Sequence, residues 1–463
     1  MMKRISLVTI LLGLWFVFVL LACNLSSPQG PPTLVPRSTA TPPPTIGFAT
    51  LSPEELPNQA TAAPPVINNV GLINLINQVS SEQLMNHVIT LQNFGTRHVN
   101  SSYSLPDQGI GAARNYITNT FKAIEAESQG RFRVIPHNFP VEFNGVRSTA
   151  ENVVGYLAGR ETGAGVVLIG AHYDSITYDQ GDGSAYAPGA NDNASGTAAL
   201  LELARVLASE PEPPRATILF AAFSAEEIGR EGSKAFVRDY IQQYNLELFA
   251  MLNMDIIGSS TGADGEVRDS ELRIYSQGPN ESPSRQLARA MNLIVDNYMR
   301  GTMSLVLYDA VDREGRYGDH MSFSEAGYPA VRVVEPLEET FRHHTTSDTT
   351  DDIQSAYLTR VTQALVVSLR ALSDGPRPPR NVVVRDNGTP VRSLVWDPSP
   401  DAVSYVVALR YPGSLKYDQY FETTDRNIVS EIFSSSRIAA IAIAGRDANG
   451  LLGPLSNEFV IVN

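Results

Sequence analysis

Hydrophobic and polar positions divide the chain into segments of different character. Ile5 to Ala22 is an uncharged, mostly apolar run, preceded by Lys3 and Arg4. From Asn24 to about Pro65 there is almost no periodic apolar pattern. That stretch is rich in Pro, Thr, Ser and Ala and carries Pro42-Pro43-Pro44 in its middle. It cannot build a core and is expected to be an extended, flexible tether. From Val66 the pattern becomes that of a folded domain. Ser80 or Ser81 caps a helix through Leu84, Val88 and Leu91, and Gln83 completes a Ser-x-x-Gln capping box with Ser80. Gly111 to Ile124 reads as a second helix. Val166–Gly170, Ala216–Phe223, Leu248–Met254 and Ala330–Val334 read as buried strands. Thr197–Ala208, with Leu200, Leu203, Ala204 and Leu207 on one face, reads as a helix, as do Ser282–Tyr298 and Ile353–Leu372. Continuous apolar strands between amphipathic helices predict an α/β fold, with a mixed, mostly parallel sheet covered by helices on both faces.

Gly375-Pro376-Arg377-Pro378-Pro379 marks a boundary, after which the strands are short. Val391–Trp396, Val403–Arg410, Ala439–Ala444 and Phe459–Val462 are the candidates, with turn signals at Asp386-Asn387-Gly388 and Asn449-Gly450. About 85 residues of this kind predict a small all-β sandwich. The placement of Trp396 and Tyr405 resembles a fibronectin type III module. No catalytic constellation falls there, so the module is expected to bind a surface ligand (cell wall, polysaccharide or protein) or to act as a spacer. The expected division is 1–22 signal peptide, 23–65 tether, 66–375 catalytic domain and 378–463 β-sandwich.

At 463 residues the chain exceeds one ordinary domain. Its formal charge of −14 and pI near 5.0 argue against nucleic acid as a partner, since phosphate binding needs a basic footprint. Cys23 is the only cysteine, which excludes an intramolecular disulfide and a thiolate zinc site. A metal would have to be held by His and carboxylates. The apolar run ends in Leu20-Leu21-Ala22-Cys23, and a small residue before the cut site fits signal-peptide processing. These four residues resemble the bacterial lipobox, in which the cysteine is lipidated and becomes the new N-terminus. The alternative is an uncleaved anchor, because about eighteen such residues nearly span a bilayer. Either reading puts the remainder of the chain outside the cytoplasmic membrane, lipid-anchored to the outer face of the cell membrane or extracellular.

Five segments bring metal-binding side chains to strand ends or loops, where active sites of open α/β sheets gather. Gly170-Ala171-His172-Tyr173-Asp174 ends a strand, and a nearby carboxylate can fix the tautomer of a ligating His. Gly189-Ala190-Asn191-Asp192-Asn193-Ala194-Ser195-Gly196 precedes a helix. It reads in part as an N-cap loop, yet its glycines also let the backbone turn sharply around a side chain. Ser224-Ala225-Glu226-Glu227-Ile228-Gly229 is either a solvated helix start or a carboxylate pair relieved by a cation. Asn253-Met254-Asp255-Ile256-Ile257-Gly258 places an acid at an apolar strand end, where it needs a cation or hydrogen bonds. His343-His344-Thr345-Thr346-Ser347-Asp348-Thr349 holds the one adjacent His pair, or else caps the final helix.

In this order the five segments resemble the secreted di-zinc aminopeptidase family, which also contains glutamate carboxypeptidases, glutaminyl cyclases and transferrin-receptor-like proteins. The resemblance covers roughly Ser81 to Asp374 and includes Gly95-Thr96-Arg97 and Gly318-Asp319-His320-Met321-Ser322-Phe323. It implies two zinc ions per chain. His172 and Asp255 would hold one, Glu227 and His344 the other, and Asp192 would bridge them. Glu226 would be the general base acting through a metal-bridging water, and Asp174 would orient His172. The Thr-Thr-x-Asp-Thr run selects His344 over His343. Asp319 and His320 match a segment near the site without an assigned role, and Tyr308 and Tyr317 are both candidates for the oxyanion-stabilising tyrosine. The implied activity is hydrolysis of the N-terminal peptide bond of peptide substrates. Alternatives are a carboxypeptidase or dipeptidase, a glutaminyl cyclase, and a catalytically inactive surface binding protein. The full Asn-Asp-Asn-x-Ser-Gly segment speaks against the cyclase.

Overall fold

The computed structural model describes residues 49–50, 69–388, 391–434 and 436–461. The expected signal peptide, Cys23 and all of the expected tether except two residues lie outside them.

Three helices come first: α1 (Val70–Gln78), α2 (Ser81–Asn93) and α3 (Gly109–Glu127). Ser80 caps α2, its Oγ accepting the Gln83 N–H at 3.2 Å. The reciprocal half of the expected capping box is made by another residue. The Ser80 N–H donates to Glu202 Oε1 at 2.6 Å. Glu202 is a fully buried carboxylate that also takes Arg205 at 2.7 Å, and a buried charge needs such donors.

An α/β succession follows: β1 (Phe132–Phe143), β2 (Val146–Leu157), β3 (Val166–His172), α4 (Gly196–Ala208), β4 (Thr217–Phe223), α5 (Glu231–Phe236), β5 (Leu248–Met254), β6 (Glu271–Ser276), α6 (Pro283–Met299), β7 (Ser304–Tyr308), α7 (His320–Glu325), β8 (Ala330–Val334) and α8 (Ser355–Asp374). The strands form one sheet in the order β1-β2-β4-β3-β5-β8-β6-β7. The inner run β4-β3-β5-β8 is parallel throughout. The β1–β2 hairpin, its contact with β4 and the β8–β6 pair are antiparallel, and β6–β7 is again parallel. This is the mixed, mostly parallel α/β sheet expected from the apolar runs.

The sheet is buried on both faces, as such runs require. Val167, Ile169 and Ala171 of β3 share a core with α2, α4 and α8. On the opposite face Phe223 meets Phe236 of α5 and Phe323 of α7, with ring centroids 6.0 and 6.1 Å away. The β1–β2 hairpin was not foreseen. β1 buries only three of its twelve residues, against six of twelve in β2, and β1 contains Pro136 and Pro140. Proline is admissible in β1 because that strand is the sheet edge.

Beyond Gly375 come β9 (Arg380–Asp386), β10 (Arg392–Asp397), β11 (Ser404–Arg410), β12 (Gln419–Thr423), β13 (Asn427–Ser430), β14 (Ala440–Arg446), β15 (Leu452–Leu455) and β16 (Phe459–Val460). They make two sheets, β13-β10-β9 and β12-β11-β14-β15, with β16 also pairing β14. Ala49–Thr50 add to the first sheet, running parallel to Ile428–Val429 of β13. Leu394, Trp396, Val407, Leu409, Ile441 and Ile443 fill the space between the sheets.

The other face of β11 and β14 is also buried. Val406, Ala408, Ala442 and Ala444, with Leu452, join the core of the α/β layer. Tyr298 of α6 accepts the Leu452 N–H at 2.6 Å and donates to Gly450 O at 2.7 Å. Gln286 of α6 donates to Ser456 O at 2.7 Å and accepts from the Tyr417 hydroxyl at 2.9 Å. At Gly453 an added Cβ would lie 2.0 Å from Pro376 O, so only glycine permits this backbone contact. The β-layers therefore share a core with the α/β layer.

Because of the shared core, Leu452→Ala is expected to cost about 2–5 kcal/mol. Trp396 is the only tryptophan after residue 22 and reports the β-layers, whereas circular dichroism reports the helices. In urea denaturation of the variant both signals are expected to move to a lower midpoint together. Two separate transitions would show that the layers unfold independently.

Candidate metal centre

The carboxyl ends of the parallel strands meet at one edge of the sheet. His172 is the last residue of β3, Asp255 directly follows β5, and Glu226 and Glu227 follow β4. Asp192 arrives on the loop before α4, and His344 on the segment between β8 and α8.

The Asn-Asp-Asn run is explained by what its two amides hold. Asn191 accepts the Gly258 N–H at 2.9 Å and donates to Glu335 at 2.9 Å. Asn193 donates to Met254 O at 2.9 Å and accepts the Gly196 N–H at 3.0 Å. Asp348 receives the N–H groups of Asn191 and Asp192 at 2.8 and 2.9 Å. The loop is thus clamped to the end of β5, and the Asp192 carboxylate points into the cavity that it lines.

Arg97 is fully buried and ties that loop to the β3 end. It donates to Tyr173 O and Pro188 O at 2.7 Å and to Gly189 O at 2.8 Å. Gly189 has φ +52°, and a Cβ there would stand 2.7 Å from Arg97 Nη2, so the turn requires glycine. Asp174 receives the N–H groups of Glu226 and Glu227 at 3.2 and 3.1 Å, and its Oδ1 lies 3.6 Å from His172 Nδ1. It fixes the Glu226-Glu227 turn and stands behind the His172 ring.

The front of these residues forms two donor sets that share Asp192. His172, Asp192 and Asp255 make one, and Asp192, Glu227 and His344 the other. His172 Nε2 lies 3.4 Å from both Asp192 Oδ1 and Asp255 Oδ1. His344 Nε2 lies 3.3 Å from Asp192 Oδ2 and 2.9 Å from Glu227 Oε2. Tetrahedral N and O ligands at about 2.0–2.2 Å from zinc stand roughly 3.3–3.6 Å apart. The three spacings of 3.3–3.4 Å fit that distance better than they fit good hydrogen bonds, whereas the 2.9 Å between His344 and Glu227 is an ordinary hydrogen-bond length. Glu226 is in neither set, and its Oε2 is 4.0 Å from His172 Nε2. Glu227 Oε1 is buried with no hydrogen-bond partner.

Electrostatics point the same way. Burial alone would lower His344, but Glu227 and Asp192 push it up to about 11. His172 is likewise raised, against burial, by Asp174, Asp192 and Asp255. Burial raises Glu226, and the carboxylates of Asp319, Asp255 and Glu227 add to this against the pull of His172. Burial and Asp192 raise Glu227. Burial would also raise Asp255, but Arg332, 3.2 Å away, and His172 hold it below the usual range. So much negative charge forces protons onto both histidines, and divalent cations would take the protons' place.

The remaining sequence candidates separate. Tyr317 lines the same cavity and is 46% exposed. Tyr308 does not line it; it stacks on Tyr275 with centroids 4.9 Å apart. Asp319 and His320 lie buried behind Gly318 and outside the lining. Burial pushes Asp319 up to about 7, and His320 Nε2 is 2.8 Å from Val311 O. His343 is buried and lowered by burial to about 4, leaving His344 to face the carboxylates. Sequence reasoning missed Arg313, Arg316 and Arg332, which line the cavity, and the clamping role of Asp348.

Residues 152–369 match Peptidase family M28. A probable zinc metalloprotease of Leptosphaeria maculans is 33% identical over 73% of this chain and 85% of its own length. The chain belongs to Peptidase family M28. Another probable zinc metalloprotease, of Pyrenophora tritici-repentis, is 32% identical over 73% of this chain and 76% of its own. M28 membership implies zinc. The fold is shared with the LapA aminopeptidase of Legionella pneumophila at a TM-score of 0.52 and 20% identity, over 64% of this chain and 72% of that one. It is also shared with a glutaminyl cyclase of Bacteroides thetaiotaomicron at a TM-score of 0.50 and 19% identity, over 63% of this chain and 98% of that one. The M28 fold alone therefore does not select the reaction.

A ligating imidazole must be neutral, and His344 in the metal-free protein stays protonated until pH rises toward about 11. Zinc binding near neutral pH is therefore expected to release protons, and affinity is expected to rise with pH. Calorimetric titration of the metal-free protein in buffers of different ionisation enthalpy measures this. Heats independent of buffer would contradict it.

Proposed function

We propose that this M28 protein is an exported zinc aminopeptidase that hydrolyses the N-terminal bond of peptides at a two-zinc site. The observation that carries this is the pair of donor sets sharing Asp192, with Glu226 beside them but in neither. His172 and Asp255 would hold one ion, Glu227 and His344 the other, and Asp192 would serve both donor sets. Zinc, when bound, polarises the scissile carbonyl and lowers the pKa of bound water. Glu226 takes the proton of the attacking water and returns it to the leaving amine. Asp174 keeps His172 in the ligating orientation and fixes the turn that carries Glu226. Tyr317, lining the cavity, is the candidate for stabilising the oxyanion.

The proposal extends to the rest of the chain. Residues 1–22 are a signal peptide, Cys23 is lipidated, and 23–65 tether residues 66–375 to the outer face of the membrane. Residues 378–463 form a fibronectin type III-like module. Its shared core with the α/β layer supports a bracing role over one as a detachable spacer.

Glu226→Gln is expected to retain zinc and lose at least about 100-fold in kcat, since a positioned base contributes about 10²–10⁴. Asp192→Ala is expected to lose metal. Metal content and turnover of aminoacyl-anilides, measured on both variants, check this. Equal zinc loss in the two would reverse the assigned roles.

A further inference from the structure

The cavity in front of the donor sets has a volume of about 360 Å³ and is bordered by five cationic side chains: Arg230, Lys234, Arg313, Arg316 and Arg332. Among the described residues its carboxylates are Asp192, Glu226, Glu227 and Asp255, all already assigned to metal or proton transfer. Four of the cations have an acidic partner of their own. Arg230 pairs with Glu325 at 3.4 Å, Lys234 with Glu231 at 3.1 Å, and Arg332 with both oxygens of Asp312 at 2.6 and 2.7 Å. Arg313 pairs with Glu338 and stands 3.7 Å from Asp312.

Arg316 differs. Among the described residues its sole ion-pair partner is Asp192, at 3.5 Å. Asp192 is the carboxylate common to both donor sets, so its charge is already committed. Arg316 is placed by a tight turn in which its N–H donates to Arg313 O at 3.1 Å, with Gly315 at φ +75°. An isolated bridge sets the two arginines opposite each other at the cavity wall. A guanidinium with committed neighbours and open solvent in front is a fork for a planar anion.

We propose that Arg316, with Arg313 beside it, receives a carboxylate of the substrate within about one residue of the scissile bond. This rests on the peptidase reading above. The carboxylate has two sources: the side chain of an acidic residue flanking that bond, or the free C-terminus of a very short peptide. A neutral analogue forgoes the charge-assisted fork, which discriminates between the two.

The test uses two isosteric pairs, Glu- against Gln-p-nitroanilide and Leu-Gly against Leu-Gly-amide, with the zinc-loaded full-length protein. The kcat/KM ratio is expected to favour the acid by about tenfold or more in one pair, which identifies the source. In Arg316→Gln that ratio is expected to collapse toward one, and Arg316→Lys, which keeps charge but not the fork, to lie between. Calorimetry with the N-acetylated form of each peptide reads the same contact without turnover. If no peptide is cleaved, the peptidase reading fails, and the calorimetric preference still decides the carboxylate contact. No preference in the wild-type protein, or one that survives Arg316→Gln, overturns the inference.

Discussion

The structure around the sheet edge is governed by concentrated negative charge. Asp192, Glu227 and Asp255 converge on two histidines, with Glu226 close by and largely buried. Like charges in a low dielectric are tolerated only if protons or cations offset them. The surroundings meet this demand in layers. Arg332 stands against Asp255 and is itself held by Asp312, and the buried Arg97 neutralises the rear. Backbone N–H groups add to this by donating to Asp174 and Asp348. Protons on His172 and His344 offset the rest, and divalent cations would take their place.

Much of this was legible in the chain. The inner strands announced themselves because both faces are buried, giving unbroken apolar runs such as Ile218 to Phe223. His172, Asp255 and the Glu226-Glu227 pair sit where such runs end, so strand order alone brought them to one edge, whereas Asp192 and His344 arrive on loops. The flanking strands were not legible. The hairpin at Phe132–Leu157 mixes exposed and buried positions and contains prolines, and Glu271–Ser276 and Ser304–Tyr308 are too short and mixed to stand out.

The missed site residues failed to register for a different reason. Arg332 is one residue in an otherwise apolar strand, and Arg313 and Arg316 sit in a polar loop without any motif. Only tertiary folding reveals what they face. The same holds for Glu202, which displaced Gln83 from the cap of α2 across more than a hundred residues of sequence. It holds also for the outer face of β11, whose Val406 and Ala408 look like ordinary strand residues yet join the α/β core. Local periodicity reports that a face is buried and is silent about what covers it.

The central claim is that one carboxylate, Asp192, serves two cations at once. Anomalous diffraction at the zinc edge from crystals grown with zinc tests it most directly. The account predicts two peaks flanking Asp192, one beside His172 and Asp255 and the other beside His344 and Glu227. A single peak, or peaks away from Asp192, would contradict it.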